Sequence, residues 1–290
     1  MPPSPRPRRS VLYIPGSNAR ALEKARDLPA DAIIFDLEDA VAVDGKVDAR
    51  HTLEAALEQG GYGERTRIVR INGLDTPWGE DDLIEIAATG PDAILLPKVN
   101  SAADIERLNA ALDETGGTST TRIWAMMETA SSVFHAAEIV TAPRLDGLVI
   151  GTNDLAAELG CRPGADRAPL MMALQTYVAA ARMVGIDCID GVFNAFRDEE
   201  GLRAECLQGR MLGMDGKTLI HPSQIAVANE IFAPSAEEVD RARRQIEAWE
   251  AAKREGKGIA VLDGEIVENL HVAAAQATLA RDRAAKEASR

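Results

Sequence analysis

This 290-residue sequence predicts an α/β fold, a (β/α)8 TIM barrel with a C-terminal helical extension, on three observations. Short apolar runs recur at intervals of roughly 20 to 40 residues, they are apolar on both faces, and Ala-, Leu-, Glu- and Arg-rich helical stretches separate them. Strands buried on both faces and joined by helices belong to parallel sheets. Eight such repeats in about 220 residues fit a closed barrel better than a doubly wound open sheet.

In order, the runs are "VLYIPG" (11–16), "AIIFDLE" (32–38), "RIVRING" (67–73), "AILLPKV" (93–99), "IWAMMET" (123–129), "GLVIGTND" (147–154), "CIDGVF" (188–193) and "RMLGMDGK" (210–217). Between them, "SAADIERLNAALDE" and "APLMMALQTYVAAARMVG" carry helical spacing. After residue 225 the pattern changes. Ser235 and Glu238 stand at capping-box spacing at the head of a helix that Gly256 closes. A short hairpin is expected around Asp263–Gly264, then a final helix. The boundaries are thus a barrel over 1–225 and a helical extension over 226–290, packed on the barrel or on a neighbouring subunit.

Composition narrows the partners. A net charge of −14 opposes nucleic-acid or anionic-membrane binding, both of which need a basic surface. No apolar run approaches the roughly 18 residues of a membrane span. The proline-rich start "MPPSPRPRRS" lacks the apolar core of a signal peptide and reads as a loose tail. Three scattered cysteines, Cys161, Cys188 and Cys206, suit reduced thiols in a cytoplasmic protein.

In barrels the chemistry sits where strands end and βα loops begin. Polar residues cluster there strand after strand: Asp36, Glu38 and Asp39, then Arg70 and Asn72, then Lys98, Glu128 and Thr129, Asn153 and Asp154, Asp190 and Asn194. One such acid is an ordinary cap. Six strands in succession ending this way form an acidic cup with a basic side. Oxygen ligands without a His or Cys cluster favour Mg²⁺ or Mn²⁺ over zinc, and His51, His135, His221 and His271 are isolated. Glu128 and Asp154, ending adjacent strands, are the candidate metal ligands. Asp36, Glu38, Asp39 and Lys98 would stand behind them, holding metal-bound water or a basic side chain.

The motifs "RRSVLYIPGSN", "ADAIIFDLEDAV", "RIVRING", "AILLPKV", "MMETA", "GTNDLA" and "DGKTLIHPSQI", in this order, resemble the citrate lyase β-subunit-like enzymes of the HpcH/HpaI aldolase superfamily. The resemblance implies a Mg²⁺-dependent lyase that cleaves or forms a C–C bond in a 3-hydroxyacyl-CoA such as malyl-CoA. The products would be acetyl-CoA or propionyl-CoA and a 2-oxo acid such as glyoxylate. It implies Glu128 and Asp154 as metal ligands, Glu128 also touching substrate, and Arg70 as the group that binds substrate and faces the developing enolate. It places CoA beside "YIPGSN", with Arg9 and Lys24 near, and makes His221 structural.

Two departures from the family pattern stand out. Family CoA lyases carry an acid in a tail motif like "GKMID", delivered from a neighbouring subunit of a homotrimer or hexamer. Here "GEIVEN" puts Glu268 in that place as the catalytic carboxylate. In "DGVFNAF" Asn194 replaces an acid. The alternatives to a lyase are a thioesterase hydrolysing malyl-CoA to malate and CoA, or the β subunit of a citrate lyase complex acting on citryl-acyl carrier protein.

Overall fold

The computed structural model describes residues 6–115 and 120–288; residues 1–5 of the expected N-terminal tail lie outside that range. Eight parallel strands close into a barrel, β8 pairing back onto β1. They are β1 (Ser10–Pro15), β2 (Ala32–Asp36), β3 (Thr66–Arg70), β4 (Ala93–Leu96), β5 (Arg122–Met127), β6 (Leu145–Ile150), β7 (Asp187–Asp190) and β8 (Gly216–Leu219). The intervening helices are α1 (Ala19–Ala25), α2 (Lys46–Gln59), α3 (Gly79–Ala88), α4 (Ala102–Glu114) and α5 (Ala130–Ile139). Then come α6 (Thr152–Glu158), α7 (Met171–Val184), α8 (Glu199–Leu212) and α9 (Ile225–Phe232). The barrel predicted from the repeats is the barrel observed.

Alternation along each strand divides its side chains between two cores. Val11, Ala32, Ile34, Ile68, Leu95, Trp124, Val149 and Ile189 fill the barrel interior, with Tyr13 packed against them. Leu12, Ile33, Phe35, Val69, Ile94 and Leu148 point outward and are covered by helix residues such as Leu53, Ile86, Leu108 and Leu174. The register pairs Pro15 with Asp36 and Asp36 with Arg70, so these residues stand level at the C-terminal mouth.

The eighth run corrects the sequence reading. Arg210–Leu212 complete α8, and Gly213 follows in the left-handed region at φ 97°, where a side chain would be strained. Strand β8 begins only at Gly216. An apolar helix end had the look of a strand because three residues cannot show a period.

Arg8–Phe232 form one compact unit, and residues 6–7 and 233–288 form another. In the latter, α10 (Ala236–Arg254) opens with the Ser235–Glu238 capping box. Strands β9 (Ala260–Leu262) and β10 (Glu265–Val267) pair antiparallel through Asp263–Gly264, both at positive φ as a tight hairpin turn requires. Helix α11 (Asn269–Ala288) follows, and Ala252, Ala260, Val267 and Val272 make a small core. Among the described residues no helix is long and apolar enough to cross a membrane, and all three cysteines are unbridged.

Candidate active site

Strand β2 delivers Asp36 to the mouth with its side chain buried. Its oxygens accept the N–H groups of Glu38 (2.9 Å) and Ala40 (3.1 Å), folding the loop back over the strand end. The same oxygens accept Nε and Nη2 of Arg70 at 2.7 and 2.6 Å. This bidentate pairing fixes the guanidinium plane. Arg70 Nη1 also stands 2.9 Å from Glu38 Oε2 and donates to Asp39 Oδ2 at 3.2 Å. Lys98 Nζ lies 3.2 Å from Glu38 Oε1. The clustering of three acids after one strand thus has a local cause: they surround one arginine.

Two buried donors hold that loop from behind. Lys46 Nζ donates to the carbonyls of Leu37 (2.9 Å) and Glu38 (2.7 Å), and Asn72 Nδ2 donates to Leu37 O (3.0 Å). Burial lowers the Lys46 pKa, against the pull of the nearby Glu38 and Asp36 charges. Burial raises the Glu38 carboxyl, which Arg70 partly offsets.

Glu128 lies just past β5 and is buried. Oε1 accepts the backbone N–H of Lys98 at 2.9 Å, while Oε2 has no hydrogen-bond partner among the described residues. Burial pushes its carboxyl up to about 8, against the relief from the Lys98 N–H, and the Asp154 and Glu38 charges add to the rise. Lys98 itself takes a left-handed backbone at φ 52°, sparse territory for a side-chain-bearing residue. Gly151, between β6 and α6, packs directly on Glu128; a Cβ there would collide with the carboxylate. Asp154, three residues later, is exposed in the first turn of α6.

Glu128 and Asp154 are the pair that could hold a divalent cation. A buried carboxylate oxygen without a donor, beside a second carboxylate, is a defect that a cation would repair. Among the described residues no group of three or more His, Cys, Asp or Glu is gathered as a ready-made metal cage. Two carboxylates are themselves a donor set that suits Mg²⁺, which is held by one or two carboxylates and completes its shell with water and substrate oxygens.

A cavity of about 290 Å³ opens at this mouth, lined among others by Tyr13, Arg70, Met126, Asp154, Asn194 and Ile220. A wider groove of about 840 Å³ shares Asp39 with it and runs past Lys46, Trp78, Lys98 and Arg107. Asn153 and Asn194 bridge the β6 and β7 loops, Asn194 Nδ2 donating to Asn153 Oδ1 at 2.9 Å.

The sequence-predicted residues divide. Asp36, Glu38, Asp39, Arg70 and Lys98 form one ion-pair cluster; Glu128 joins it through the Lys98 backbone, and Asp154 shares the cavity with Arg70. Arg9 does not join them. It precedes β1, hence lies at the opposite mouth, and is locked to Asp31 by Nε (2.8 Å) and Nη2 (2.8 Å). Lys24 is exposed in the last turn of α1, roughly 8 Å along the helix axis from its N-terminus. Asp190 also departs from the expected ring. Its neighbour Ile189 faces the interior, so Asp190 points to the helix layer, where it pairs with Arg167 (2.7 Å) and Lys217 (3.1 Å). Glu268 belongs to the other unit, exposed just ahead of α11; its N–H donates to His271 Nδ1 at 3.0 Å. His221 caps its own turn by accepting the Ser223 N–H.

Sequence reasoning passed over Lys46 and Tyr13. Nothing in the run of residues before α2 marks Lys46. Tyr13 had a signal, since it stands two residues from Val11 and must share its inward face.

Comparison with known proteins follows the same lines. Residues 9–222 match HpcH/HpaI aldolase/citrate lyase. A (3S)-malyl-CoA thioesterase of Cereibacter sphaeroides (strain KD131) is 57% identical over 278 residues, 96% of this chain and 95% of that one. An L-malyl-CoA/beta-methylmalyl-CoA lyase of Cereibacter sphaeroides (strain ATCC 17025) is 39% identical over 292 residues, 92% of each chain. The structure of protein CitE from Mycobacterium tuberculosis in complex with magnesium, acetoacetate and coenzyme A superposes with a TM-score of 0.78 at 31% identity, covering 94% of this chain and 97% of that one. With residues 9–222 matched by the family and nearly the whole length by a relative, the chain belongs to the HpcH/HpaI aldolase/citrate lyase family.

Proposed function

We propose that this chain is a Mg²⁺-dependent thioesterase that hydrolyses a malyl-CoA-like 3-hydroxyacyl-CoA to the free hydroxy acid and CoA. One observation carries the choice of hydrolysis over C–C cleavage: the 57% identity to a (3S)-malyl-CoA thioesterase across nearly the full chain, against 39% to a malyl-CoA lyase. The lyase favoured by the motifs becomes the second reading. A mouth with a paired arginine and two candidate metal carboxylates serves either reaction.

In this reading Glu128 and Asp154 hold Mg²⁺, for which Mn²⁺ can substitute. Held there, such a cation would supply Lewis-acid positive charge to oxygens of the acyl group. Arg70 faces the oxygen that becomes negative as water adds to the thioester carbonyl and the sulfur leaves. Asp36 keeps the guanidinium plane fixed, so little reorganisation accompanies that charge. Glu38 and Lys98 balance the cluster. Glu268 is proposed as the base that takes the proton from water, reaching the mouth of a neighbouring subunit in a homotrimer or hexamer; its exposure supports such delivery. Mixing inactive Glu268→Gln with inactive Asp154→Ala subunits should then restore partial activity, and a mixture that stays dead removes Glu268 from this role.

The deciding assay supplies malyl-CoA and Mg²⁺ and follows thiol, malate and glyoxylate together. Hydrolysis gives CoA and malate in equal amounts with no glyoxylate. Stoichiometric acetyl-CoA and glyoxylate would establish the lyase instead.

A further inference from the structure

The charge balance around Arg70 leaves the reaction short of donors. A guanidinium has five N–H groups. Among the described residues, four of Arg70's are engaged: Nε and one on Nη2 by Asp36, and those on Nη1 by Asp39 and the Met126 sulfur (3.6 Å). Three carboxylates within ion-pair distance also offset its charge. One N–H from a largely neutralised cluster is a meagre reception for a developing oxyanion, which in preorganised sites meets two or more donors.

A second donor stands beside it. Tyr13 projects from the inward face of β1 and lines the same 290 Å³ cavity as Arg70 and Asp154. Its ring lies against the guanidinium, with Arg70 Cζ 5.0 Å from the ring centroid, so the two groups hold each other in place. Among the described residues the hydroxyl donates only to the Met126 thioether, at 3.7 Å. Sulfur of this kind is a weak acceptor, readily given up for a charged oxygen. We propose that the Tyr13 hydroxyl is the second oxyanion donor, hydrogen-bonding the thioester carbonyl oxygen of the acyl-CoA beside Arg70.

The inference rests on the thioester reading of this site and adds a catalytic residue to it. Burial, reinforced by the Asp36, Glu128 and Glu38 charges and opposed by Arg70, keeps the phenol protonated and therefore a donor across the working pH range. The sulfur contact makes Met126 a resting partner, released when a carbonyl oxygen arrives. No proton leaves Tyr13 in this role; the O–H is donated, not transferred.

Tyr13→Phe tests it by deleting one oxygen while keeping the ring on Arg70. With malyl-CoA and Mg²⁺, kcat should fall about 10²-fold, the scale of one lost oxyanion donor, with little change in KM. Binding of a thioether analogue of malyl-CoA, with CH₂ in place of the carbonyl, should be the same in both proteins, because it lacks the accepting oxygen. A kcat within about threefold of the parent overturns the proposal. So does an equal loss of analogue binding, which would make Tyr13 a packing residue. If the parent turns over no 3-hydroxyacyl-CoA, the thioester reading fails and takes this inference with it; an active parent with an unaffected Tyr13→Phe overturns Tyr13 alone.

Discussion

Two buried ionic clusters lie at strand ends of this barrel, and they differ in one respect. Around Lys217, on the helix side of β7 and β8, the ammonium and the Asp190 carboxylate are satisfied, and the atom left without a hydrogen bond there among the described residues is a donor, Arg167 Nη2. Nζ reaches Asp190 Oδ2 (3.1 Å), Gly191 O (2.6 Å) and Glu205 Oε1 (2.7 Å), one acceptor for each N–H. Asp190 Oδ1 takes Arg167 Nη1 and the Gly191 N–H. Around Arg70, on the inner side of β2, β3 and β5, the cluster stays open: among the described residues Glu128 Oε2, an acceptor, is buried without a hydrogen bond, and Arg70 and Asp154 line a cavity. A cluster whose ammonium and carboxylate are already satisfied is structural, since a cation could bind there only by breaking those bonds. An open one has been left incomplete at the positions where a ligand would finish it.

The largest effect should come from removing a proposed ligand of the open cluster. Asp154→Ala should abolish turnover, more than about 10³-fold, with an unchanged circular dichroism spectrum and melting temperature, because the side chain is exposed. Full activity of the parent in EDTA would contradict the metal assignment behind this prediction.

Next, the Lys217 cluster should respond in stability instead. Lys217→Met leaves Asp190 buried beside Arg167 alone and should cost about 3–5 kcal/mol of folding free energy, read by urea denaturation. Asp190's carboxyl is held below its ordinary value: burial opposes this, but Lys217 and Arg167 prevail. A depressed folded pKa contributes stability that is present above the unfolded value and lost as pH falls through the folded one. The penalty of Lys217→Met should therefore shrink on acidification below about pH 4. A variant as stable as the parent would dissolve the distinction drawn between the clusters.

Arg70→Lys keeps a charge but loses the planar fork held by Asp36. We expect kcat/KM to fall roughly 10²- to 10³-fold, with a smaller loss of stability than Lys217→Met. If the order of the two stability losses is reversed, Arg70 is the structural arginine.

The smallest effect belongs to the opposite mouth. Asp187 opens β7 near Arg8 (3.7 Å), and its carboxyl is pushed up to about 6 by burial and the Asp215 and Asp146 charges, against Arg8 and Arg182. Between about pH 4 and 6 the folded state holds more protons than the unfolded one, so stability falls as pH rises through that window. Asp187→Asn should remove the slope and raise stability at pH 7 by about 1 kcal/mol, discounted because the side chain is 36% exposed, hence by roughly 2–4 °C. At pH 4 parent and variant should melt together.

This contrast also explains what could be read from the sequence. Strand ends mark the mouth, so Asp36, Arg70, Glu128 and Asp154 were legible from their positions after apolar runs. Direction was not. Asp190 follows its run as the others do, but the parity that sends Ile189 inward sends it outward, and only the register shows this. Arg9 was misjudged through nearness in sequence: a residue before a strand and the loop after it are at opposite ends of the barrel. Lys46 acts by reaching back to two carbonyls, a long-range pairing that leaves no local pattern.

The walls of the cavity differ in how freely they can change. On the β1 to β3 side, Tyr13, Asp36 and Arg70 each bear on the charged cluster, and replacing one disturbs the others. On the β7 and β8 side, Val192 and Ile220 line the same space and carry no ionic duty, while among the described residues the Asn194 side chain is tied to Asn153. New acyl groups can be accommodated by rewriting those three positions while the chemical machinery stays intact. Divergence of substrate within this scaffold therefore has a built-in address, and a library at 192, 194 and 220 is where selection for a different acyl chain should begin.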